Sequence, residues 1–332
     1  MRLERGAGAG ARQEFPGARR VGSRLDPGRR AKTNSLPYDK PCGKVHPMSL
    51  KVGVNLLLFE DKPSPAVLRR LARLRQVGFD GVEVPVFDPP AIDPERVRAA
   101  AEKAGLQLTA SGALPPGARF YGRAAAPRKA AERYVRQSIR VCAAMGAKVF
   151  CGPLYKAVGD VDESVPLTVQ RRETARALRP LVQEAAEAGV TLAFEPLNRF
   201  ESNFLNTARQ GIEFCQAIGE KAGAGLLLDT FHMHIEEKDS AAAIAEAARA
   251  GVLAHFHASE NDRGPAGSGQ VHWEAIAAAL RRARYKGWTV LETFSQKNQA
   301  IRRAVSCWRP FYKSEEGFMK SGLSFVRRVL KG

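Results

Sequence analysis

Four apolar runs in the second half of the chain each end in a side chain able to hold a metal ion. They are Val190–Glu195 (VTLAFE), Gly225–Asp229 (GLLLD), Val252–His257 (VLAHFH) and Thr289–Glu292 (TVLE). Taken singly, a carboxylate at a strand end caps the strand or an adjacent helix. Four at equivalent positions point instead to one shared centre. Three carboxylates crowded into a low-dielectric mouth repel one another strongly, and a divalent cation relieves that repulsion. A mixed oxygen and nitrogen donor set suits manganese, magnesium, cobalt or zinc. His255 and His257 are two residues apart, so both face one side of an extended strand. His257, nearer the strand end, is the ligand candidate, and His255 reads as a packed, hydrogen-bonded histidine.

The four runs belong to a longer alternation. Candidate strands are Lys51–Leu57, Gly81–Val84, Gln107–Ser111, Lys148–Cys151, Val190–Glu195, Gly225–Asp229, Val252–His257 and Thr289–Glu292. Between them lie amphipathic stretches at Ser64–Val77, Pro94–Ala104, Arg128–Met145, Leu167–Ala188, Thr207–Ile218, Ser240–Ala250 and Trp273–Ala283, with a closing helix near Ser321–Leu330. Ser64-Pro65 is a serine cap followed by proline at the first helical position. Gly78, Gly105, Gly146, Gly189, Gly219, Gly251 and Gly287 stand where helices should stop. Repeated strand–helix–glycine units predict an α/β fold, a closed (β/α)8 TIM barrel. An open doubly wound sheet would want a glycine-rich loop after the first strand, and Asn55–Phe59 has none. A barrel strand aims its C-terminal residues into the catalytic mouth, so Glu195, Asp229, His257 and Glu292 should converge.

Composition bounds the rest. The 332 residues are 44% hydrophobic, enough for one large core, and no apolar run approaches membrane-spanning length. The five cysteines, Cys42, Cys142, Cys151, Cys215 and Cys307, are scattered and form no C-x-x-C pair, which fits a reducing, cytoplasmic setting. The net charge is +18. Residues 1–50 carry 11 Lys/Arg against 4 Asp/Glu. The other basic residues are spread over later helices, as a solvated face rather than a nucleic-acid groove. Residues 1–47 lack apolar periodicity and read as a flexible basic extension ahead of a barrel over 48–332, with Met48 a natural initiation site. A transit peptide or an upstream start are the other readings of this arm.

The motifs around the strand ends carry a resemblance. Phe194–Glu201 (FEPLNRFE), Leu228–Glu237 (LDTFHMHIEE), His255–Arg263 (HFHASENDR) followed by Pro265 and Gly267–Gly269, Leu291–Phe294 (LETF) and Ala147–Tyr155 (AKVFCGPLY) resemble the D-tagatose 3-epimerase group of ketose 3-epimerases. These belong to the xylose isomerase-like, sugar phosphate isomerase/epimerase superfamily, and the likeness runs from about Ser49 to the C-terminus. It implies metal ligands Glu195, Asp229, His257 and Glu292, and substrate contacts from Glu201, His232 and Arg263. It also implies a dimer or tetramer. Tyr155, Phe59 and Trp308 are candidate aromatic walls. Ser111-Gly112-Ala113 and Gly152-Pro153-Leu154 lack some bulky pocket residues of that group, leaving the ketose unspecified.

Epimerisation at C3 needs a weakly acidic proton removed from one face and one returned on the other. A cation on O2 and O3 would stabilise a cis-enediolate, and Glu195 and Glu292, as the catalytic pair, could flank C3 as base and acid. The expected partner is a small ketose, with no nucleic acid and no membrane. Hydroxypyruvate isomerase or an inosose dehydratase-type lyase would use the same metal site. An endonuclease IV-like repair enzyme needs further histidines from early strands, yet none lies between His46 and His232. A non-catalytic barrel would leave the four-residue site idle.

Overall fold

The computed structural model describes residues 51–219 and 223–331. The arm at 1–47 and the start at Met48 lie outside the described residues. Eight strands form one closed parallel barrel in chain order: β1 (Lys51–Asn55), β2 (Gly81–Pro85), β3 (Gln107–Ser111), β4 (Val149–Gly152), β5 (Thr191–Phe194), β6 (Ala224–Asp229), β7 (Leu253–Ala258) and β8 (Trp288–Leu291). Closure is direct, with Val52 opposite Thr289 and Val54 opposite Leu291. Strands this short and apolar are stable only when both faces are covered, and β2, β4, β6 and β8 are buried along their whole length.

The helices are α1 (Pro65–Leu68), α2 (Leu71–Val77), α3 (Pro94–Ala104), α4 (Ala125–Met145), α5 (Leu167–Glu187), α6 (Ala208–Ile218), α7 (Thr230–Glu236), α8 (Ser240–Arg249), α9 (Trp273–Arg282), α10 (Gln299–Ala304) and α11 (Glu315–Lys331). Local chemistry sets their ends. Ser64 accepts the Val67 N–H at 3.3 Å and Asp93 accepts the Arg96 N–H at 2.9 Å, each ahead of a proline at the first helical position. Gly78, Gly105 and Gly146 take left-handed φ of 113°, 70° and 84° at the ends of α2, α3 and α4. Leu178, Leu181 and Val182 of α5 are fully buried, each contributing about 1.5–3 kcal/mol by leaving water. An aspartate at any of them would break that contact.

Three expectations shift. The segment Ser64–Val77 is two helices, and the closing helix starts at Glu315. Gly287 is not a helix stop: Arg284, at φ 50°, takes the left-handed position after α9. Gly287 is needed because a Cβ there would strike the Tyr285 ring, whose hydroxyl donates to the Trp288 carbonyl at 2.7 Å. At the opposite end of the barrel from the strand C-termini, a Cβ on Gly81 would lie 2.5 Å from the Trp288 indole, so glycine lets that ring pack across the floor.

Candidate active site

The strand ends bring the four predicted ligands into two overlapping groups. Asp229, His257 and Glu292 offer donor atoms within 4.8 Å of one another, and so do Glu195, Asp229 and His232. Asp229 belongs to both sets and joins the β5 side to the β7–β8 side. All these groups are buried. Glu195, His232, His257 and Glu292 line a cavity of ≈ 350 Å³ together with Glu201 and Arg263, while Asp229 lies just behind that lining. A larger groove of ≈ 450 Å³ lies on the outer wall between α5 and α6, lined by Arg171, Arg172, Arg176 and Arg179 with Glu213. It gathers none of the predicted site residues.

His257 is oriented from below. Its Nε2 lies 2.8 Å from Glu83 Oε1, and its Nδ1 lies 3.4 Å from Glu292 Oε1 with no hydrogen-bond partner among the described residues. Burial opposes charge on this ring, but Glu83 and then Glu292 outweigh it and hold its pKa well above the usual histidine value. Glu83 was not singled out from sequence. Burial pushes its carboxyl up, yet the pull of His257 and then His255 keeps it well below the ordinary range. His255 is fully buried, with Nε2 2.7 Å from Glu83 Oε2, as expected of a packed histidine.

Arg263 reaches in from the loop after β7. Its Nη1 donates to Asp229 Oδ2 at 2.6 Å, Glu292 Oε2 at 2.9 Å and Ser259 Oγ at 2.9 Å. The guanidinium sits 3.9 Å from the Phe231 ring centre and 5.0 Å from that of Phe294, which fixes its plane. Burial raises the Asp229 pKa, but Arg263, then His232 and His257, reverse that and keep Asp229 ionised. Glu195 is the opposite case: burial first, then Glu292, hold its carboxyl well above the ordinary value. His232 Nδ1 accepts the Asn198 backbone N–H at 3.0 Å, so a neutral ring carries its proton on Nε2, 3.5 Å from Glu195 Oε1. Burial and then Arg263 depress the His232 pKa, which favours that neutral ring. Asn198 also donates to Glu201 Oε1 at 2.8 Å and so ties Glu201 to the same corner.

The aromatic expectations need correction. Tyr155 is fully buried, stacked on Phe204 at 4.9 Å between ring centres, and its hydroxyl donates to the Glu195 carbonyl at 2.6 Å. It stands behind the site, not in it. Trp308 is 70% exposed and Phe59 lies beneath Arg70, and neither lines the cavity. The walls come instead from Phe294, Leu57, Leu114, Pro153 and Val158, with Val305 from the end of α10.

The buried donor set addresses the fit of a divalent cation. His257 presents an unpartnered nitrogen toward two carboxylates, and Asp229 and Glu195 complete a hard oxygen set. An orphaned buried nitrogen costs about 1–3 kcal/mol, and a cation facing it removes that penalty.

Residues 71–311 match the model of the xylose isomerase-like TIM barrel family. The chain belongs to that family. It is 33% identical over 255 residues to a Synechocystis sp. protein named "Probable ketose 3-epimerase", covering 76% of this chain and 87% of that one. It is 32% identical over 261 residues to the ketose 3-epimerase of Arthrobacter globiformis, covering 78% and 89% respectively. A solved L-ribulose 3-epimerase superposes with a TM-score of 0.79 at 31% identity, covering 85% of this family member and 94% of that chain.

Proposed function

We propose that this enzyme epimerises a free ketose at C3 with a divalent cation, manganese before magnesium, cobalt or zinc, held by Glu195, Asp229, His257 and Glu292. The observation that carries this reading is the unpartnered His257 Nδ1 facing Glu292 beside Asp229. The ketose 3-epimerases among its relatives support the reaction class. When bound, the cation supplies positive charge against the oxygens of the reacting carbons.

The residues of the chain do the rest. Glu195 and Glu292 descend from β5 and β8 and approach C3 from opposite sides, one taking its proton and the other returning one. Burial and the neighbouring Glu292 raise the Glu195 pKa, which suits this carboxyl to exchange a proton. His232 offers its Nε2 proton to a substrate oxygen, and Arg263 orients the same end while keeping Asp229 ionised. Glu201, fixed by Asn198, accepts from a hydroxyl. Leu57, Phe294 and Val305 exclude water from this corner. Arg263 is the only basic Lys or Arg side chain among the described residues that line the cavity, and it is already paired with two carboxylates. That favours an uncharged sugar over a sugar phosphate.

The test is turnover of D-fructose, D-tagatose and L-ribulose with added manganese in deuterium oxide. The expected product carries deuterium at C3. Product free of deuterium rules out proton transfer at that carbon. Turnover confined to hydroxypyruvate or inososes would move the enzyme to a different reaction within its family.

A further inference from the structure

Beneath the cation-holding groups lies a second layer that touches no solvent. Asn55, Glu83 and Thr109 are register partners across β1, β2 and β3, and all three are buried. Glu83 is the centre of this layer. Its Oε1 accepts from Asn55 Nδ2 at 2.9 Å and faces His257 Nε2 at 2.8 Å. Its Oε2 accepts from Thr109 Oγ1 at 3.0 Å and from Cys151 Sγ at 3.4 Å, and faces His255 Nε2 at 2.7 Å. Five donors from β1, β3, β4 and β7 therefore converge on one carboxylate that has about four lone-pair sites. A group so fully engaged cannot turn.

We infer that Glu83 is a positioning residue that fixes the face His257 presents to the cation, through the hydrogen bond between Glu83 Oε1 and His257 Nε2. The inference rests on the metal-dependent reading above. An imidazole has two nitrogens, and only one can hold the proton of the neutral ring. By accepting at Nε2, Glu83 leaves the lone pair on Nδ1, the nitrogen that faces Asp229 and Glu292. Its negative charge also makes that lone pair a better donor. Thr109, Cys151 and His255 occupy Oε2 and leave Oε1 for His257 and Asn55. Glu83 does not line the cavity, so it has no route to the substrate itself.

The experiment titrates manganese alone into chelator-stripped full-length protein, wild type and Glu83→Gln, by calorimetry and by the loss of the free-ion electron spin resonance signal. The amide keeps an acceptor but removes the charge and one of the two acceptor edges. The expected result is a 10- to 100-fold weaker manganese Kd. At saturating manganese, KM for the ketose stays at the wild-type value. Nitrogen-15 NMR of labelled histidine, with diamagnetic zinc bound, should show His257 protonated on Nε2 in wild type and a changed proton distribution in the variant. A purely structural role predicts a lower melting temperature without metal and an unchanged Kd, and a Kd within threefold of wild type overturns the inference. If Glu83→Gln does not fold, Thr109→Val removes one donor from Oε2 without touching either histidine. It should weaken manganese in the same direction, and an unchanged Kd there is equally fatal. Wild-type protein that binds no manganese would overturn this inference together with the metal reading, whereas a tight wild type with an indifferent Glu83→Gln overturns the inference alone.

Discussion

The two halves of the barrel mouth are built from different chemistry. Strands β5 to β8 end in Glu195, Asp229, His257 and Glu292. Strands β1 to β4 end in small or apolar groups, Leu57, Ser111-Gly112 and Gly152-Pro153, which line the cavity as a smooth wall. The early strands are not idle. One layer deeper they contribute Asn55, Glu83, Thr109 and Cys151, the network that grips the histidines of β7. One half thus carries the titratable cluster at the mouth, and the other half supplies the buried partners of its β7 histidines. The charge that lines the mouth lies on one side and its support, Glu83 included, sits under the other, so the two can be perturbed separately.

Replacing Glu292 by Gln should cut deepest, lowering turnover at saturating manganese by about 10²–10⁴-fold, as for loss of a general acid or base. Steady-state kinetics on the best ketose measures it, and full turnover would remove Glu292 from the acid–base pair. Asp229→Ala comes next, because Asp229 joins both donor sets and binds Arg263. Wild type should gain about 2.7 kcal/mol of stability at manganese a hundred times Kd, and this variant should gain none. Thermal melts with and without manganese decide it. On the opposite wall, Val158→Ala should shift the ketose KM by less than about tenfold and leave manganese affinity unchanged. A large change in manganese affinity would show that the two halves are not separable. The smallest effect is in pH. The folded pKa of Glu83 lies below its ordinary 4.5, so its stabilisation is present above pH 4.5 and is lost as pH falls through the folded value. The melting-temperature gap between chelator-stripped wild type and Glu83→Gln should therefore narrow as the pH is taken below 4.5, and a constant gap would contradict an ionised Glu83.

The half that carries the strand-end cluster was the readable one. Its residues terminate apolar runs, and the period of a barrel places such termini together whatever the side chains between them do. Strand positions were legible for the same reason: Gln107–Ser111 runs over the residues expected, and Val190–Glu195 loses only one residue at each end. The supporting half was harder to read. Glu83 stands in Gly81–Pro85, a strand apolar but for this one carboxylate. Such a charge signals a buried partner, but which strands supply the partners depends on closure across the barrel. Tyr155 misled because a strand-end aromatic looks like a wall, while the turn after Gly152 carries it behind the strand and under Phe204. Helix α7 begins directly at the end of β6 and runs for only seven residues, too few for an apolar period to register.

The pinch between β3 and β4 has a consequence for anyone wishing to redesign this enzyme. Gly152 has φ 125°, and a Cβ there would collide with the Gly112 carbonyl, while a Cβ on Gly112 would run into the Tyr134 hydroxyl. Both glycines line the cavity. The obvious route to a narrower substrate range, adding bulk at these two positions, is therefore closed by the backbone. Selectivity has to be retuned from the loops above, at Ala113–Pro116 or Ala157-Val158, where a new side chain can grow inward without forcing two strands apart.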